Sequence, residues 1–254
     1  MTLSEDQREK RAIEIVAFFT GLSEDEIDDV VMRARRKAKT KKLKNREDKL
    51  VEVLESHLDK LKLLGCPQTI SEVFRGKKDK VISKMLEVWM KKYPDETLES
   101  LAARGIYLSI PVIRRSYMGI YALMPMVRYG DKIGYTYLNP NSLTDTLRVP
   151  DDPYYALDVE DGRAILGKPS IGAEGIINGQ RRSCSIVDEL IAIGMLTEVL
   201  SHHNMNAVGS RYESDNFPGL YLNNSGNGKP KLSYWSDLNC PDNRLGFPSC
   251  DSRI

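Results

Sequence analysis

The spacing of apolar positions divides the chain into a helical first part and a mixed second part, with the change at about residue 100. Isoleucine, valine and leucine recur every three or four residues over 4–20 and over 50–64, which predicts two amphipathic helices. Between them, Ser23 and Glu26 form an S-x-x-E capping box, so we expect a charged helix to begin at about residue 24. A further helix is predicted over 78–92 and a short one over 96–104.

Beyond residue 105 the chain is rich in β-branched and aromatic residues, which predict strands. A helix is predicted over 185–200, whereas 162–182 is expected to be an irregular, glycine-rich loop and the C-terminal tail a set of polar turns. Helices and strands do not alternate strictly, so a doubly wound parallel sheet is not expected. The predicted fold class is α+β, with a helical N-terminal region followed by a mixed or antiparallel sheet and a few packed helices. The predicted strands cover 105–113, 133–138, 153–160, 207–212, 219–223 and 231–235.

This pattern predicts two domains, a charged helical region or arm at 1–100 and an α+β domain at 105–254. The 254 residues contain no window of about 18 apolar residues, and the first residues are charged rather than apolar. Neither end carries a lipidation motif. We therefore expect a cytoplasmic protein that does not bind membranes.

The near-neutral total of 37 bases against 36 acids conceals a strong segregation of charge. Residues 1–30 carry a net charge of −6, whereas 33–46 contain nine bases and no acid. Such a block can neutralise phosphates, so contact with nucleic acid or a ribonucleoprotein is predicted there. The alternatives are a solvated helix, or one that pairs with the acidic 1–30 segment. The nine bases are Arg33, Arg35, Arg36, Lys37, Lys39, Lys41, Lys42, Lys44 and Arg46.

No sequence motif in the chain identifies a reaction. Nucleotide-binding, hydrolase and zinc-protease patterns are all absent from the sequence, so catalytic residues are unknown and the question of enzymatic activity stays open. No cofactor or metal is predicted, because none of the four cysteines forms a C-x-x-C pair. A disulfide between Cys240 and Cys250, or a metal site that these form with His202 or His203, is an alternative.

Three C-terminal stretches, VGSRYESDNFPGLYL, GKPKLSYWSDLN and RLGFPSCDSR, resemble the ending of the uncharacterised bacterial DUF5701 family. The resemblance extends over about residues 50–254, and the 1–46 extension has no counterpart in it. Because that family has no assigned activity, the resemblance implies a fold and no reaction.

The resemblance does direct attention to a set of polar residues that combines arginine, lysine and tryptophan. Two guanidinium groups and an ammonium group suit an anionic ligand. The alternative is that these side chains hold the tail together through backbone carbonyls. The sequence thus predicts a binding or interaction protein, or alternatively a small-molecule enzyme or sensor for an anionic ligand. The predicted ligand-binding residues are Ser210, Arg211, Lys231, Trp235 and Arg253.

Overall fold

The computed structural model describes residues 23–223, 228–235 and 242–254. The chain divides into two compact units, Met1–Lys49 and Leu50–Ile254. This division does not coincide with the boundary predicted at about residue 100. The predicted helix over 4–20 lies outside the described residues.

The first described helix, α1 (Glu24–Leu63), begins where the capping box predicts. The backbone N–H of Ser23 donates to the Glu26 carboxylate at 2.9 Å, and the N–H of Glu26 donates to the Ser23 hydroxyl at 3.4 Å. The two helices predicted on either side of residue 46 are one helix, because no glycine or proline interrupts the sequence before Gly65. Gly65 then adopts a φ of +92°, which favours glycine and ends the helix.

Three shorter helices follow, namely α2 (Gln68–Gly76), α3 (Lys78–Lys92) and α4 (Leu98–Ala103). Helix α3 has the predicted bounds and packs against two strands, β1 (Ile106–Val112) and β6 (Tyr154–Glu160). Helix α4 also packs against β1. These helices therefore share a hydrophobic core with the sheet that follows them. The buried side chains of α3 are Val81, Ile82, Met85 and Trp89.

The first sheet is antiparallel and is built from strands that lie far apart in sequence. Its order is β1, β6, β13 (Ser249–Cys250) and β7 (Ser183–Cys184), and β14 (Ser252–Arg253) also pairs with β6. The prediction of polar turns in the tail is therefore wrong over its last ten residues, where Leu245–Cys250 are buried.

The order of the second sheet is β12 (Leu245–Gly246), β8 (Asn204–Asn206), β10 (Phe217–Asn223), β11 (Lys229–Trp235) and β4 (Tyr135–Thr136). This sheet is mixed, because β12 pairs with β8 and β11 with β4 in parallel, whereas the remaining pairs are antiparallel. Two further pairs are antiparallel: β2 (Arg128–Tyr129) with β3 (Lys132–Ile133), and β5 (Leu143–Asp145) with β9 (Ser210–Tyr212).

Helix α8 (Val187–Leu196) packs against β1 of the first sheet and against β10 of the second. All ten of its residues are buried, as expected for a helix that is covered on every side. It begins two residues after the predicted start, where the carboxylate of Glu189 caps the backbone N–H of Ile186 at 3.1 Å. It ends at Leu196, before a separate 3₁₀ turn at Val199–Ser201. Two short helices, α5 (Arg115–Met118) and α6 (Ile120–Leu123), connect β1 to the second sheet.

The region 162–182, predicted as an irregular loop, contains a helix, α7 (Ser170–Gly179). Ala173 and Ile177 are buried one turn apart, whereas the space beside Gly172 is open. Glycine weakens the helical signal in this segment, but the buried apolar face stabilises the helix.

The protein is thus an α+β structure in which an N-terminal helix is followed by antiparallel and mixed sheets. In the three described ranges, no helix combines the length and the apolar composition needed to cross a membrane.

His57 is a half-buried titratable group on the apolar side of α1, and its buried Nδ1 has no hydrogen-bond partner among the described residues. Burial lowers the pKa of His57 to about 4, and the neighbouring charge of Lys60 adds to this effect. Between pH 6.5 and 4 the unfolded chain therefore binds a proton that the folded chain does not, and stability falls as the pH falls through this window.

We expect His57→Leu to remove this acid sensitivity. Between pH 7 and pH 5, the wild-type protein should lose about 2 kcal/mol more free energy of unfolding than the variant. Urea titrations at the two pH values measure the difference, with the exposed His202→Gln as the matched control. If wild type and His57→Leu lose equal stability, the proposed burial of a neutral His57 is wrong.

Candidate functional site

The basic segment, defined here as residues 33–46 of α1, presents most of its charges to solvent. The structure does not describe the side chain of Arg35, and Arg46 is buried. The segment is helical throughout, so the spacing of its bases fixes their direction around the axis. The exposed bases are Arg33, Arg36, Lys37, Lys39, Lys41, Lys42 and Lys44.

Four of these bases form a row along one side of the helix. Arg33, Lys37, Lys41 and Lys44 follow one another at intervals of four, four and three residues, and such intervals place side chains on one face. The row is about 16 Å long at 1.5 Å per residue. Arg36 lies beside it, one turn after Arg33. Five positive charges thus face the same side.

These charges are only weakly compensated by neighbouring acids. Arg33 forms an ion pair with Asp29, and both side chains are exposed, so that this pair contributes little. Across the described ranges, no ion pair is formed by Lys37, Lys41 or Lys44. The row is therefore available to an external anion.

The predicted ligand residue Arg253 is held by the protein itself. Its Nε donates to one oxygen of Glu189 at 2.7 Å, and Nη2 donates to the other at 3.1 Å and to the carbonyl of Cys184 at 2.8 Å. Arg253 lies on β14 and thereby ties the C-terminal strand to α8 and β7.

Arg211 makes similar internal contacts elsewhere. Its Nη1 donates to the carbonyl oxygens of Val208 at 2.7 Å and Ser210 at 3.0 Å, and its Nη2 to Glu174 at 3.4 Å. The guanidinium lies 4.2 Å from the ring centre of Phe217. These carbonyl contacts agree with the alternative that the predicted set holds the C-terminal region together.

No described side chain among the remaining members of the predicted set contacts either arginine, and only the backbone carbonyl of Ser210 accepts from Arg211. Lys231 lies on β11 of the second sheet with its ammonium 5.9 Å from the ring centre of Tyr221. Ser210 is buried, donates to Asp145 at 2.8 Å and accepts from the N–H of Val187 at 3.0 Å. The backbone of Trp235 ends β11, and its side chain lies outside the description. Among the described contacts, the structure brings no two of these side chains onto a common partner.

A buried ion-pair cluster that the sequence did not predict surrounds the start of α8. Asp188 accepts from Arg114 at 2.6 Å and from Arg115 at 3.1 Å, and Asp145 lies 3.2 Å from Arg114. Burial raises the pKa of Asp188, while the positive charges of Arg115 and Arg114 oppose that rise. Its partners are more than 70 residues away in sequence, so only the fold reveals them.

A second buried cluster surrounds Asp158, whose φ of +49° is unusual for a residue other than glycine. Its carboxylate accepts from Lys92 at 2.7 Å, from Tyr93 at 2.9 Å and from Arg182 at 3.0 Å. Burial favours the neutral acid, but these contacts outweigh it and lower the pKa of Asp158. These contacts favour the ionised carboxylate and tie β6 to the end of α3 and to Arg182.

The described cysteines are not activated nucleophiles. Burial raises the pKa of Cys184 to about 11 and also raises the pKa values of Cys66 and Cys250. Such thiols stay protonated and react slowly. Cys240 lies outside the described residues, and within those residues no three histidine, cysteine, aspartate or glutamate side chains group to hold a metal ion.

Comparison of the chain with protein-family models, curated proteins and solved structures gives no match. The resemblance to the DUF5701 family stays a prediction. The assignment of the basic segment of α1 as a candidate nucleic-acid interface therefore depends only on the geometry of the segment.

Proposed function

We propose that this protein binds nucleic acid through phosphate contacts of the basic segment of α1. The observation that carries the proposal is the row of Arg33, Lys37, Lys41 and Lys44, flanked by Arg36, on the exposed side of one helix. Lysine and arginine side chains that neutralise phosphates release counterions, which gives sequence-independent affinity.

The composition of the segment supports phosphate contact rather than recognition of bases. Residues 33–46 include no aromatic side chain on which a base can stack. Nor do they include aspartate or glutamate, which would repel the phosphate backbone. The segment therefore resembles an electrostatic contact surface for a nucleic-acid backbone.

The alternative, recognition of an anionic ligand by Arg211, Lys231 and Arg253 together, has less support. Arg253 is paired with Glu189, and Arg211 is bonded to backbone carbonyls. Lys231 and the Tyr221 ring beneath it both lie on the second sheet. These three cations are engaged separately, whereas those of the basic segment face solvent in a row.

We expect two duplexes of 20 base pairs, equal in length and unrelated in sequence, to bind the full chain with dissociation constants within about threefold. A specific base contact is worth about 1–3 kcal/mol, so base recognition would separate the two duplexes by tenfold or more. Fluorescence anisotropy at about 50 mM salt, where phosphate contacts are strong, measures both constants. Absence of binding to either duplex would overturn the proposal, and a tenfold preference would show that base contacts contribute.

A further inference from the structure

A cleft of about 450 Å³ opens on the second unit, beside the C-terminal strand β14. Its walls come from the loop before β6, from β7 and from β14. This volume is within the range of small-molecule sites, roughly 300–1,000 Å³. The polar side chains that line the cleft are Arg148, Asp151, Ser183, Ser252 and Arg253.

One guanidinium in this cleft is fixed in place before any ligand binds. Glu189 and the carbonyl of Cys184 hold Nε and Nη2 of Arg253. In the part of the chain that the structure describes, no acceptor engages Nη1. A side chain that is locked by its neighbours loses little conformational entropy when it binds a ligand. Arg253 therefore offers a fixed donor at the wall of the cleft.

The other polar groups are available as donors as well. Arg148 is exposed, and the described residues provide no ion-pair partner for it. The hydroxyl groups of Ser183 and Ser252 make no hydrogen bond to any described residue. Two guanidinium groups and two hydroxyl groups thus line one small, polar cavity, which is the donor set that oxyanions prefer.

We propose that this cleft binds a small molecule through its carboxylate or phosphate group. Arg148 supplies the positive charge, and Ser183 and Ser252 donate from their hydroxyl groups. Arg253, whose own charge is balanced by Glu189, adds a fixed donor at Nη1. The carboxylate of Asp151 accepts from a hydroxyl or ammonium group next to the anion, so ligands that carry such a donor bind better than the bare anion. The site shares only Arg253 with the set predicted from the sequence, and it does not depend on nucleic-acid binding by α1.

The test uses the full chain labelled with ¹⁵N and two probes, inorganic phosphate and acetate, at constant ionic strength. We expect saturable shifts of the backbone amide signals of Ser183, Ser252 and Arg253. Arg148→Gln should weaken this binding about tenfold or more, because a hydrogen bond to a charged group is worth about 1.5–3 kcal/mol. The matched control is Arg128→Gln, which removes an equally exposed arginine on β2.

The two probes distinguish the two anion classes. The probe that binds with the higher affinity shows whether a phosphate or a carboxylate fits the cleft. Saturable shifts that Arg148→Gln weakens and Arg128→Gln leaves unchanged support the site. The site is disproved if neither probe shifts these three amides, or if both variants weaken binding equally. Because the readout lies at the cleft, it is independent of any binding of phosphate to the basic segment.

Discussion

Replacement of Asp188 by asparagine is expected to lower the free energy of unfolding by about 3–5 kcal/mol, the usual effect of removing one partner from a buried ion pair. The side chain of Asp188 is fully buried and accepts from both Arg114 and Arg115. Asparagine keeps the size of the side chain but not its charge. The two guanidinium groups would then share only Asp145.

Urea unfolding at pH 7, followed by circular dichroism, measures this loss. The matched control is Asp131→Asn, since Asp131 is exposed in the turn between β2 and β3 and should change stability by less than about 0.5 kcal/mol. A loss below about 1 kcal/mol for Asp188→Asn would contradict the account. It would mean that burial keeps Asp188 as a neutral acid despite its two arginines.

Neutralisation of four of the five bases that face one side of α1 is expected to weaken binding to duplex DNA by about a hundredfold or more at about 50 mM salt. The variant combines Arg36→Gln, Lys37→Gln, Lys41→Gln and Lys44→Gln in the full chain. Glutamine forms helices about as well as lysine, so α1 should persist. Each substitution removes one phosphate contact and the counterion release that accompanies it.

A matched control for this variant removes the same amount of charge from the second unit. Lys62, Lys80, Lys91 and Lys168 are exposed and lie outside the basic segment, so their replacement by glutamine changes the net charge equally. We expect this control to bind within about threefold of wild type. Equal weakening in both variants would show that net charge alone governs binding, as expected for a nonspecific effect.

The features that the sequence predicted correctly depend on neighbouring residues. The start of α1 is defined by the capping box of Ser23 and Glu26, which spans only four consecutive residues. Helix α3 follows from its apolar spacing, and it ends just before Pro94, which cannot continue a helix. The basic segment is also formed by consecutive residues, so its position on an exposed helix could be predicted without the fold.

The features that escaped prediction depend on contacts between distant segments. Strands of two residues, such as β13 and β14, have no detectable period. They are defined by pairing with β6 and, for β13, also with β7. Helix α7 is concealed by its glycines, and the arginine partners of Asp188 come from a distant part of the chain. Likewise, nothing in the sequence indicates that Glu189 holds Arg253.

The most direct test of nucleic-acid binding by α1 is the dependence of duplex affinity on salt, measured for wild type and for the variant with Arg36, Lys37, Lys41 and Lys44 replaced by glutamine. With five phosphate contacts, the logarithm of the association constant should fall with the logarithm of salt concentration with a slope of about −4.5. The variant retains Arg33 alone from this face, so its slope should be about −1. Equal slopes for the two proteins would contradict the proposal that the basic segment binds the nucleic acid.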